Sequence, residues 1–173
     1  MIKILFIDTS ALLSFFVSDK GTTTMRWLMS SGNKTYNATR YIINNQVIND
    51  FESKLEELVK KDEIKEATAS NILNLFNTHY KDQIFKVVGK DASVKDTLDG
   101  MYNFLGGISR PILVTSNNQQ IGNTYEYKII NPETQTPEDI ELALRGKKPK
   151  TAKPNEVNLY RKLCNMTRMA ISL

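Results

Sequence analysis

Ile2-Lys3-Ile4-Leu5-Phe6-Ile7-Asp8-Thr9-Ser10 opens the chain with five apolar residues in six, then an acid and two hydroxyls. A short, nearly continuous apolar run rich in β-branched residues fits a strand buried on both faces rather than an alternating edge strand. Asp8 stands at its carboxyl end, and Ser10 to Val17 reads as the start of a helix.

The same alternation recurs downstream. Ile43, Val47, Phe51, Leu55 and Leu58 are spaced by four, four, four and three, which is helical periodicity. A second helix is expected from about Glu66 to Tyr80, and the polar stretch Ser30 to Thr35 reads as a connection. Ile84 to Val88 reads as a short strand. Ser93 is placed to cap a helix with Val94, Leu98, Met101, Tyr102 and Leu105 on its apolar face, ending at Gly106-Gly107. Pro111 to Thr115 and Tyr127 to Ile130 read as further strands, and Thr136-Pro137-Glu138-Asp139 as a helix start. Strands alternating with helices predict a three-layer α/β/α domain with a mainly parallel sheet.

The charge is unevenly placed. The 173 residues carry a formal net charge of +4, yet residues 1–144 hold 15 Lys+Arg against 18 Asp+Glu, net −3, and residues 145–173 hold 8 against 1, net +7. That excludes a uniformly basic binding surface. Gly146 to Pro154 has four lysines and two prolines in nine residues, a linker or arm. Glu156 to Ser172 then returns to helical spacing, with Leu159, Leu163, Met166 and Ala170 on one face. Cys164 is the only cysteine, so no internal disulfide forms, and His79 is the only histidine, so no His-rich or Cys/His zinc cluster is expected. Asp8 interrupts the apolar N-terminus, and no stretch approaches the ~18 apolar residues of a membrane span. A cytoplasmic protein without a membrane partner is the expectation.

In a parallel α/β sheet, ligands gather at the carboxyl ends of the strands. Asp8 and Thr115-Ser116-Asn117 fall there, and Asp99 lies on the helix preceding the second of these strands. Asp50 is one residue from the apolar stripe of its helix and is expected to face a neighbouring element. Carboxylates converging without histidine or cysteine favour a hard cation, Mg²⁺ or Mn²⁺, a centre suited to phosphodiester hydrolysis. Each acid also has an ordinary reading: Asp8 as a helix cap, Asp50 as part of a solvated acidic face with Glu52, Glu56 and Glu57, and Asp96 and Asp99 as complements to a helix dipole.

FIDTSALLSFF, VINDFESKL, DGMYNFLGGISRPILVTSN and YKIINPE, in that order, resemble a PIN domain, the metal-dependent nuclease fold of type II toxin–antitoxin toxins and RNA-processing nucleases. The resemblance covers about residues 2 to 145, so the expected division is a PIN-like domain over 1–145 and a basic linker with a C-terminal amphipathic helix over 146–173. It implies metal ligation by Asp8, Asp50 and Asp99, with Asp96 as an additional ligand, Asn117 as a weaker ligand or a partner of coordinated water, and Ser10 and Thr115 orienting the carboxylates. It implies RNA cleavage, with DNA as the alternative substrate and an antitoxin protein as partner.

Two departures bear on that implication. Asp50 stands where the family usually has Glu, so Glu52 or Glu56 takes its place if the register differs, and Asn117 stands where Asp is common. A PIN-fold interaction module with weak or no catalysis is therefore the competing function. A haloacid-dehalogenase-like phosphatase is disfavoured because Ser10 replaces its second aspartate and because Asp96 and Asp99 precede the threonine strand. The tail residues Lys147, Lys148, Lys150, Lys153, Arg161, Lys162 and Arg168 are expected to contact nucleic-acid phosphates. The apolar face of the tail helix would pack on the body or on a second subunit, as in a homodimer.

Overall fold

The computed structural model describes residues 3–35, 39–89, 92–106, 110–117 and 128–144. Five strands lie among them: β1 (Lys3–Ile7), β2 (Thr39–Ile43), β3 (Phe85–Val87), β4 (Ile112–Val114) and β5 (Lys128–Ile130). All pair in parallel, in the order β3-β2-β1-β4-β5. The described helices are α1 (Thr9–Phe16), α2 (Thr22–Thr35), α3 (Asn45–Lys60), α4 (Glu66–Leu75, continued by a π-turn over Phe76–Tyr80), α5 (Val94–Phe104) and α6 (Pro137–Leu144). The α/β/α class expected from the alternation is what forms.

β1 is the central strand, and its composition explains why. Leu5, Phe6 and Ile7 are each at most 1 % exposed, because both faces of a central parallel strand are covered. Alternation along the strands separates the two layers. On one face Tyr41 and Phe85 are register neighbours, and the Tyr41 hydroxyl donates to the Leu28 carbonyl of α2 at 2.9 Å. Rings then run from Phe85 to Phe76, Phe51 and Phe16, with successive centroids 5.3–6.3 Å apart, so α1, α3 and the end of α4 share this layer. On the other face Ile4 and Ile42 line a groove together with residues of α5.

Two elements differ from the sequence expectation. The expected connection around Ser30 to Thr35 lies within α2, which begins at Thr22. Ile43, counted above with a helical stripe, instead ends β2, and the helix begins after it at Asn45. The spacing misleads because a strand's last apolar residue stands four before Val47, and the helix-capping asparagine falls between them.

Two compact units divide the chain, Met1–Glu133 and Thr134–Leu173. In the second, α6 opens with a reciprocal cap: Asp139 N–H donates to Thr136 Oγ1 at 3.2 Å, while the Asp139 carboxylate accepts from Thr136 N–H and Oγ1. The tail helix and basic residues expected after Arg145 lie outside the described residues, as do Ile2, Gly107 and Tyr127. No helix among the described residues is long and apolar enough to cross a membrane.

Candidate functional site

The strand order reverses between β1 and β4. The chain builds outward from β1 through β2 to β3, then crosses back to lay β4 on β1's other side. Such a switch point leaves a crevice at the strand carboxyl ends, because the flanking connections leave on opposite faces. Asp8 and Thr115 are the residues immediately past the two strands that border it.

Asp8 stands at the N-cap position of α1 but makes no side-chain cap. Its carboxylate turns across the crevice instead. Oδ2 accepts from Thr115 Oγ1 at 2.8 Å and from Ser10 Oγ at 3.0 Å. Each hydroxyl has one proton to donate, and its lone pairs accept in turn. Ser10 Oγ accepts from Ser116 N–H at 2.9 Å, and Thr115 Oγ1 from Asn117 N–H at 3.0 Å. Two relays of amide, hydroxyl and carboxylate thus converge on one oxygen, each bond polarising the next. Backbone bonds from Asp8 N–H to the Val114 carbonyl and from Thr115 N–H to the Ile130 carbonyl hold the frame.

Only half of the carboxylate is used. Asp8 is 4 % exposed, yet Oδ1 accepts no hydrogen bond among the described residues and is not one of their sealed, unpartnered polar atoms. Ser116, whose N–H reaches Ser10, carries the one buried side-chain polar atom among the described residues left without a partner, its Oγ. An oriented carboxylate with one open oxygen suits a hard divalent cation, and Mg²⁺ is typically held by one or two carboxylates plus waters.

No family model and no curated protein matches the chain.

The other predicted acids sit on helices that begin at the same edge of the sheet. Asp50 is exposed on α3, not turned to a neighbouring element as its place beside Phe51 suggested. At about 100° per residue it stands roughly 115° from the middle of the Val47, Ile48, Phe51 and Leu55 face. Glu52 is half-buried and Glu56 exposed. On α5, Asp99 is half-exposed and pairs with Lys95 Nζ at 2.5 Å. Asp96 is exposed and accepts from Ser93 Oγ at 2.6 Å, while Ser93 caps Asp96 N–H. No three acids, histidines or cysteines among the described residues form a group able to hold a metal. The structure therefore gathers Asp8, Ser10 and Thr115 with the backbone of Asn117. His79 is exposed in the π-turn.

Asn44 has a part that the sequence reading does not assign. Fully buried at the end of β2, it accepts from Val47 N–H at 2.9 Å, capping α3. Its amide donates to the Ala92 carbonyl at 2.9 Å and to Thr97 Oγ1 at 3.0 Å. One side chain thereby ties the start of α3, which carries Asp50, to the start of α5, which carries Asp96 and Asp99. Gly89 supports the junction: at φ +60°, a Cβ there would lie 3.1 Å from Thr97 Oγ1. An asparagine three residues before Val47 is a helix-start signal, visible once Thr39–Ile43 is read as a strand.

Proposed function

We propose that the chain is a metal-dependent endoribonuclease that hydrolyses RNA phosphodiester bonds at the switch-point crevice, with Asp8 anchoring Mg²⁺ or Mn²⁺. The observation that carries this reading is the Asp8 carboxylate, declined as a helix cap, pinned through Oδ2 by Ser10 and Thr115, and open at Oδ1. A bound divalent ion supplies polarisation of the phosphate and a more acidic attacking water. Ser10 and Thr115 fix the angle at which the carboxylate meets its ligand, as hydrogen-bonded partners of metal ligands do. Asp99 is the second acid in this reading, its exposed i,i+4 pair with Lys95 being worth only a few tenths of a kcal/mol against a divalent cation. Asp50 and Asp96 complete the acidic edge, and Asn117 follows Thr115 as an uncharged donor or acceptor. The motif order that resembles a PIN domain supports RNA as the substrate, and with it an antitoxin partner, a cytoplasmic setting and an accessory role for the tail lysines.

A second reading is favoured by the ordinary partners that two of the acids already have, Lys95 for Asp99 and Ser93 for Asp96: a PIN-like interaction module in which Asp8 serves the fold. The two separate in one assay. Labelled single-stranded RNA and DNA are incubated with the full chain, with Mg²⁺, Mn²⁺ or chelator. The nuclease reading expects metal-dependent cleavage of RNA, lowered at least a hundredfold by Asp8→Asn and by Asp99→Asn. Binding that survives chelator and both substitutions, with no cleavage under either metal, selects the module.

A further inference from the structure

On the sheet face opposite α1–α4, a groove of about 430 Å³ runs between α5 and the β1–β2 surface, walled by Ile4, Ile42, Val88, Ala92, Met101 and Phe104. Phe104, at the end of α5, is 90 % exposed. A parallel sheet is ordinarily covered on both faces, so an open apolar floor with a bare aromatic at its rim marks a surface built to be covered.

Charge says by what. Arg40 is the register neighbour of Ile4, and Lys86 that of Ile42, so both cations stand on the groove's own face. Both are exposed, Arg40 although β2 is an interior strand and Lys86 on the edge strand β3, and neither has an acidic partner among the described residues. Asp96, the one charged residue among the described residues that line the groove itself, keeps its charge under the Ser93 hydrogen bond, so an acidic edge belongs on the Arg40 and Lys86 side. Residues 145–173, net +7, would set like charges against Arg40 and Lys86. A second copy docked face to face would bring the same two cations. We propose that this groove seats an amphipathic segment of a partner protein, its apolar stripe against Ile42, Met101 and Phe104 and its acidic edge against Arg40 and Lys86. An amphipathic helix anchored at i, i+3, i+4 and i+7 is the mode such a groove admits.

The test uses the full chain and a labelled helical peptide of about 18 residues with leucines at that spacing and glutamates elsewhere. Two controls are the same peptide with lysines for glutamates and a peptide of residues 156–173. Saturable binding of the glutamate peptide is expected, at least tenfold tighter than either control. Phe104→Ala is expected to weaken it at least tenfold, and Arg40→Glu with Lys86→Glu to reverse the preference toward the lysine peptide. All three substituted side chains are exposed, so folding is retained and checked by circular dichroism. The inference is overturned by no saturable binding of the glutamate peptide, by equal or tighter binding of either control, or by insensitivity to these substitutions. It is equally overturned by a concentration-dependent dimer that Phe104→Ala dissociates, which would make the occupant a second copy. RNA cleavage is read separately, so failure here leaves the Asp8 chemistry standing, and the reverse also holds.

Discussion

The Asp8 side chain can be replaced by a near-isostere that keeps its fold contacts and loses its charge. In Asp8→Asn the amide oxygen takes both hydroxyl protons and the amide nitrogen takes the open position of Oδ1. Chemical denaturation is therefore expected to show a change within about 1 kcal/mol, the charge assistance alone being removed, while cleavage falls at least a hundredfold. Thr115→Val is expected to do the opposite in stability. It strips a charge-assisted bond from a buried carboxylate and leaves the Asn117 amide without its acceptor, costing about 2 kcal/mol. Tyr41 gives the pH dependence. Burial pushes its phenol up from 10.0 to about 12, so the unfolded chain loses this proton first. Stability from this group is intact below pH 10, falls as pH rises toward 12, and levels off above it, a loss of order 2 kcal/mol. Denaturation between pH 9 and 12 should show the loss, and Tyr41→Phe should remove it.

Some elements are plainer in sequence than others, for physical reasons. β1 is legible because five apolar residues in six need cover on both faces, and Asp8 because an acid directly after such a strand has few structural uses. β2 is harder to see: Arg40 interrupts its apolar run on the groove face, and Ile43 falls in phase with α3. α2 is masked by its threonines and serines and by Gly32 near its end. Asn44, the clasp between α3 and α5, goes unread with β2. The partners of Asp96 and Asp99 depend on rotamers and ion pairs, which spacing does not encode. The clasp makes an element-scale prediction. Asn44→Ala removes the α3 cap and leaves the buried Thr97 hydroxyl and Ala92 carbonyl without their donor. A loss of about 3 kcal/mol of stability in chemical denaturation is expected. Hydrogen exchange should rise first at the starts of α3 and α5.

Across the whole molecule, the charge splits into net −3 in residues 1–144 and net +7 in residues 145–173. Under the proposed function, an edge carrying Asp8, Asp50, Asp96 and Asp99 would repel a polyanion unless a cation were bound, and the basic end would supply the attraction. Truncation after Leu144 is expected to weaken RNA binding and flatten its salt dependence, by about 0.7 in the log–log slope for each RNA phosphate that the basic end neutralises. Mn²⁺ affinity should stay unchanged, and an unfolded truncation product would make the basic segment structural instead. The central claim is narrower than any of these: the open oxygen of Asp8 is a cation ligand. Anomalous diffraction from crystals of the full chain soaked in Mn²⁺ tests it directly. The expected result is a manganese peak bonded to Asp8 Oδ1, with Asp99 released from Lys95 toward it. A peak elsewhere, or none at Asp8 when Mn²⁺ is saturating, would contradict it.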